Sequence, residues 1–187
     1  IAGYADMVRM DIGDPAHPVN EHITIIKATT ETMTNLVEDL LRLERIRTSP
    51  LELREQTDMG SLVKVLIVNS RPFAKPKNIN FVTDIQLEGA PRIVADPVLI
   101  RQSMENVISN AFKYTPQGGT ITVRAHFDSE KFHFSVEDNG IGISKEHQSY
   151  VFESFYRVEQ ARYKEKGSGL CLSLVKNVIA RHDGEVW

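Results

Sequence analysis

QSMENVISNAFKYTP, residues 102–116, is the stretch whose reading decides the fold. Read as a helix, it sets Asn106, Asn110 and Lys113 at i, i+4 and i+7 on one face, with Tyr114 next in line. Asp96-Pro97 upstream supplies an N-cap followed by proline at the first helical position, so the helix opens there. TPQGG, residues 115–119, ends it in a loop. A carboxamide oxygen can ligate magnesium, a hard ion that prefers oxygen and keeps several waters. Asn110 is the expected metal ligand, with Asn106 beside it. Lys113 is a point cation able to offset phosphate charge, and Tyr114 offers a flat face to a purine. A polar row on an amphipathic helix is also what a solvated surface looks like, so this stretch needs company before it means a site.

Two glycine segments provide it. VEDNGIGI, residues 136–143, places Asp138 just ahead of a turn containing Gly140 and Gly142. A carboxylate there can accept the exocyclic amino proton of adenine, which favours adenine over guanine, and the glycines let backbone approach the base closely. An Asp-Asn-Gly turn alone is common in β proteins. The second segment, Gly167-Ser168-Gly169, precedes a helix beginning near Leu170, whose N–H groups and dipole suit phosphate oxygens. A single Gly-x-Gly is weak on its own. Between the two lies SKEHQSYVFESFYRVEQARYKEK, in which Phe152 and Phe155 are expected anchors and Arg157, Arg162, Lys164 and Lys166 bring positive charge. A basic loop joining two halves of a nucleotide site has the makings of a lid.

Upstream, residues 1–12 carry Ile1, Ala5, Val8 and Ile12 on one helical stripe, and GDPAHP at 13–18 breaks it. A long helix follows from about residue 20 to 48. Ile26, Met33 and Leu40 recur every seven residues, with Leu36 and Leu43 as a companion row. Such a hairpin is too thin to stand alone, so a homodimer forming a four-helix bundle is expected, the alternative being a hairpin packed on its own globular domain. Ser49-Pro50 ends the helix and residues 50–57 read as a linker. Asp58 caps a helix carrying Leu62, Val65, Leu66 and Phe73, and residues 79–86 look like a strand. Ile121, Val123, Ala125 and Phe127 alternate with polar residues, as do Phe132, Phe134 and Val136, with DSEK as the turn between them. Residues 169–182 are expected to form a last helix, and 185–187 to begin a strand.

The 187 residues are 41% hydrophobic and 25% charged, which is globular rather than disordered. A net charge of −3 gives no basic field for nucleic acid. The one cysteine, Cys171, excludes an internal disulfide and fits a reducing compartment. No apolar run reaches the ~20 residues of a membrane helix. With no signal peptide and no initiator methionine the chain reads as a cytoplasmic fragment, any membrane anchor of its parent lying outside it.

The order of these segments is more specific than any one of them. QSMENVISNAFKYTP resembles the N box of the sensor histidine kinases of two-component systems, DNGIGI their first glycine box, FESFYR their F box and GSGLCL their second glycine box. The N-terminal hairpin resembles their dimerisation and phosphotransfer domain. The resemblance implies an α+β chain: part of the phosphotransfer hairpin at 1–49, a linker at 50–57, and at 58–187 an α/β-sandwich ATP-binding catalytic domain of the GHKL superfamily. It implies Mg2+ and ATP as cofactors, transfer of the γ-phosphoryl group to a histidine, and relay to the receiver domain of a response regulator. By position, Asn110 would hold magnesium with Asn106 assisting, and Lys113 and Arg157 would contact phosphates. Tyr114 would pack on adenine and Asp138 accept from its amino group. Gly140 and Gly142 would lie close to the base, Gly167, Ser168 and Gly169 would cradle phosphate oxygens, and Ile143 and Leu170 would also belong to the nucleotide site.

Three departures qualify it. The acceptor motif should lie upstream of Ile1, so no catalytic acceptor is present; His17 and His22 match nothing in it. Cys171 stands where the second glycine box usually has its last glycine. The family also continues past Trp187 with a further strand pair. Gyrase-like ATPases of the superfamily place a glutamate where this chain has Asn106, which cannot activate water. A non-catalytic ATP-binding regulator is the remaining alternative, with Cys171 in its favour.

Overall fold

A computed structural model describes residues 1–14, 16–48, 50–128, 131–158 and 168–187. Helix α1 (Ala2–Ile12) ends at Gly13, whose φ of +63° lets its N–H reach back to the Arg9 carbonyl. Helix α2 (Val19–Thr48) returns beside it, and Lys27 meets Asp6 across the pair at 2.6 Å. Both partners are well exposed, so the bridge adds little stability. On the α1 stripe Ala5 is buried, but Ile1 and Val8 are exposed. On the α2 seam Ile26, Met33 and Leu40 are exposed and Leu36 is half-buried. Near its start α2 buries Ile23, and near its end Leu43 and Ile46 join the main core.

Residues 54–57 correct the linker expectation. They form strand β1 (Arg54–Thr57), antiparallel to the short β3 (Ile93–Ala95), and Thr57 Oγ1 donates to the Ala95 carbonyl at 3.0 Å. Helix α3 (Met59–Ala74) opens as expected at Asp58, whose carboxylate accepts from Ser61 N–H and Ser61 Oγ, both at 2.9 Å. Strand β2 (Asn80–Gln86) runs parallel to β4 (Thr120–Asp128), and β5 (Lys131–Asp138) lies antiparallel on the other side of β4. Residues 129 and 130 of the DSEK turn lie outside the described residues. The alternation in β4 does what its pattern requires: Ile121, Val123 and Ala125 face inward and are buried. They meet Val63 and Leu66 of α3, Met104 and Ile108 of helix α4 (Pro97–Tyr114), and Leu174 and Val178 of helix α6 (Cys171–Ala180). A short helix, α5 (Lys145–Gln148), precedes the basic loop. The result is an α+β chain with helices packed on a mixed sheet.

Two further boundaries differ from expectation. Helix α6 is shorter than 169–182, because Gly169 has φ +74° and residues 181–183 close as turns on Asn177, Ile179 and Ala180. Residues 185–187 form no strand. A strand exists by pairing, and no ladder bond among the described residues reaches them; the Trp187 ring instead lies 6.3 Å from the His133 ring of β5.

Candidate functional site

Helix α4 carries the polar row, and its two ends are fixed differently. At the N-terminus Asp96 is buried. Its Oδ1 accepts from the N–H groups of Val98 and Leu99, and its Oδ2 from that of Glu52. Its own N–H donates to His182 Nε2 at 2.9 Å, while His182 Nδ1 faces the Val178 carbonyl at 2.7 Å. That pairing requires the neutral imidazole with its proton on Nδ1. The C-terminal end of α6 therefore sits at the N-terminal end of α4.

Asn106 and Asn110 are half-buried, and neither carboxamide is engaged by another described residue. Lys113 places its ammonium 5.1 Å from the centroid of the Tyr114 ring, so one face of that ring is already covered by a cation.

The C-terminal end of α4 meets the first glycine segment. Gly140 lies against the Tyr114 carbonyl: a Cβ there would come within 2.5 Å of that oxygen and 2.6 Å of Asp138 Oδ1. Ile141 N–H donates to the same carbonyl at 3.4 Å. Asp138 is exposed rather than buried, with Oδ1 held by Gly140 N–H at 2.9 Å and Oδ2 turned to no described residue. Asn139 ties the turn to β4 by accepting from Thr120 N–H at 2.7 Å. Gly142 has φ +67° with open space around it, so its need for glycine is conformational, and Ile143 is exposed.

At the second glycine segment, Gly169 packs against the backbone of Phe155 and Tyr156, where a Cβ would approach to 2.8 Å. Phe155 N–H donates to the Gly169 carbonyl at 3.0 Å. The anchoring expected of the Phe155 ring is therefore done by its backbone; the side chain is exposed. Phe152 and Arg157 are half-buried. Ser168 Oγ accepts from Leu170 N–H, and the Leu170 side chain is fully buried, so Leu170 fixes the start of α6 rather than presenting a group to solvent. Gly167, Arg162, Lys164 and Lys166 lie outside the described residues. Tyr156 closes the base of the loop through His147, whose Nδ1 is 2.6 Å from its hydroxyl, and through the Tyr150 ring.

Two contributors escape sequence reading. One is His182. The other is Lys77, whose ammonium donates to the carbonyls of Phe112, Lys113 and Thr115 at 2.8, 3.1 and 3.3 Å. Neither carries a local signal, because a turn lysine and a histidine after a helix are ordinary surface residues.

The chain is similar to known proteins over most of its length. Residues 95–187 match the histidine kinase-, DNA gyrase B- and HSP90-like ATPase family. The adaptive-response sensory kinase SasA of Nostoc sp. is 34% identical over 163 residues, covering 86% of this chain and 40% of that protein. The sensor histidine kinase WalK of Bacillus subtilis is 31% identical over 168 residues, covering 88% and 27%. Full-length ShkA, crystallised in complex with AMPPNP, superposes with a TM-score of 0.67 at 25% identity, covering 89% of this chain and 35% of that one. The catalytic domain of histidine kinase ThkA in a nucleotide-free form gives 0.63 at 25% identity over 73% of this chain and 88% of that one. The chain belongs to the sensor histidine kinase family, and its ATPase domain is of the type shared with gyrase B and HSP90. It spans less than half the length of these two curated relatives. Among the described residues, no helix is long and apolar enough to cross a membrane.

Proposed function

We propose that the chain contains the catalytic part of a protein-histidine kinase. On this reading residues 1–49 belong to a dimerising phosphotransfer hairpin, and the part from strand β1 onward binds Mg-ATP. The γ-phosphoryl group goes to a histidine other than His17 and His22, for relay to a response-regulator receiver in the cytoplasm. The observation that carries the reading is the fit between the two polar segments at the end of α4. Asp138 is exposed with one oxygen already held, and the turn beside it is packed on the Tyr114 carbonyl too tightly for any side chain at Gly140. The pair sits on the helix whose two carboxamides remain unengaged by described residues.

In this site Asp138 Oδ2 accepts from the adenine amino group, with Gly142 and Ile143 beside the base. Asn110 supplies an oxygen to magnesium and Asn106 supports it. Lys113 and Arg157 face the phosphates, and Gly167, Ser168 and Gly169 wrap them. Tyr114 packs at the base side through the edge that Lys113 leaves open. Bound Mg-ATP supplies the phosphoryl group; the residues above hold and orient it and offset its charge, which is most of what phosphoryl transfer requires. The exposed seam of Ile26, Met33 and Leu40 supports the homodimer.

The test supplies a separate helical acceptor domain bearing a histidine motif, labelled ATP and magnesium. Acid-labile label on the acceptor, lost with Asn110→Ala, is the expected result. Nucleotide binding without transfer would instead favour the regulator reading, and release of phosphate alone a hydrolytic ATPase.

A further inference from the structure

A helix leaves its last four carbonyls without intrahelical donors, and a half-buried helix end must find them elsewhere. In α4 the account closes. The Ala111 carbonyl takes the Thr115 N–H, and the Tyr114 carbonyl takes the Ile141 N–H of the first glycine segment. The other two, Phe112 and Lys113, have one donor in common: the ammonium of Lys77, which also reaches the Thr115 carbonyl. All three N–H bonds of one lysine are thus spent on one helix end, where positive charge also complements the helix dipole.

The approach is built into the chain. Lys77 sits in the α3–β2 turn, which is closed by Asn78 N–H on the Lys75 carbonyl with Asn78 at φ +49°. Its own carbonyl accepts from Gly118 N–H at 2.9 Å, and Asn80 N–H donates to the Gly119 carbonyl at 2.8 Å. Backbone and side chain of the same turn therefore grip both the end of α4 and the loop that leaves it. What lies beyond that end has no slack. The Tyr114 carbonyl touches the space a Gly140 side chain would need, and Asp138 is bonded to Gly140.

We propose that Lys77 is a positioning residue for base recognition. By fixing the last turn of α4 it fixes the Tyr114 carbonyl, hence the Gly140–Ile141 turn, hence the Asp138 carboxylate that selects adenine. Lys77 touches no nucleotide itself. The inference rests on the ATP reading above and adds a prediction which that reading does not make. Loss of Lys77 harms the contact specific to adenine while the metal and phosphate contacts, which any nucleoside triphosphate shares, are retained. Affinity for Mg-ATP falls and affinity for Mg-GTP changes little.

The experiment titrates Mg-ATP and Mg-GTP calorimetrically into the whole chain and three variants, below the melting temperature of each. Lys77→Met is expected to weaken Mg-ATP about tenfold and to lower the ATP-to-GTP preference by the same factor. Lys77→Gln, which keeps donors but not charge, is expected to lose about threefold and carries the test should the methionine variant not fold. Lys75→Met, an equal charge change on an exposed lysine of the same turn, should match wild type. A merely structural role would lower the melting temperature and leave the preference unchanged; that outcome overturns the proposal. Should the wild-type chain itself show no preference for Mg-ATP, the functional reading falls and takes this one with it.

Discussion

The two halves of this chain treat the same residue types in opposite ways. In strand β4, Ile121 and Val123 are 0% exposed, whereas along α2 Ile26, Met33 and Leu40 expose 45%, 59% and 43%. The sandwich closes its core with its own helices. The hairpin buries Ala5 and Ile23 between its own helices, but among the described residues Ile26, Met33 and Leu40 stay exposed. The transition falls within α2, where Leu43 and Ile46 leave the seam and enter the sandwich core. Arg181 fastens the junction by donating to the Ile46 carbonyl. The end of the hairpin is packed into the sandwich core, while Ile26, Met33 and Leu40 further up α2 stay exposed.

The sharpest way to break this comparison is to make the seam polar. Met33→Glu with Leu40→Glu should raise the dimer dissociation constant about a thousandfold, or about 4 kcal/mol, because each carboxylate would have to leave water. Sedimentation should then find monomers, with Mg-ATP affinity within about twofold of wild type. A double variant that stays dimeric would show that the seam lies elsewhere.

A smaller effect separates close packing from open space inside the sandwich itself. Gly140→Ala forces a methyl group onto the Tyr114 carbonyl and should weaken Mg-ATP by about tenfold or more. Gly142→Ala meets no neighbour and carries only the left-handed backbone penalty of about 1–2 kcal/mol, read as lost stability. Equal loss of nucleotide affinity in both would deny the tight contact its role.

How far the sequence showed this arrangement depended on whether the determining forces were local. The N-caps at Asp58 and Asp96 were legible because an Asp before a helix acts within three residues. The inward face of β4 was legible because alternation is a property of the strand alone. Strand β1 was not: Arg-Glu-Gln-Thr has no apolar alternation, and it is a strand only because Ile93–Ala95 pairs with it from 36 or more residues away. The same holds for Lys77 and His182, whose roles come from partners 35 and 86 residues distant. At the site, the residue types of the asparagine row and the glycine turns were visible in advance. The covering of Tyr114 by Lys113 and the backbone anchoring by Phe155 were not, because both depend on how the chain is finally packed.

The smallest expected effect concerns the first cap of the sandwich. The N–H and hydroxyl of Ser61 beside Asp58 hold its carboxyl below the ordinary carboxylate value. A folded-state pKa lowered in this way stabilises the fold above the unfolded-state value and loses that contribution as pH falls through the folded one. Wild type should therefore exceed Asp58→Ala in urea resistance at pH 5, and the gap should narrow from about pH 4 downward. A gap that stays constant to pH 3 would place the effect of the substitution outside the carboxylate.

The most direct test of the whole account is calorimetry of the folded chain with a nonhydrolysable ATP analogue, with and without magnesium, beside Asp138→Asn and Asn110→Ala. The account predicts binding that magnesium strengthens, loss of most of the affinity in Asp138→Asn, and loss of the magnesium effect alone in Asn110→Ala. Absence of heat from correctly folded wild-type protein at saturating magnesium, or Asp138→Asn binding as wild type does, would contradict it.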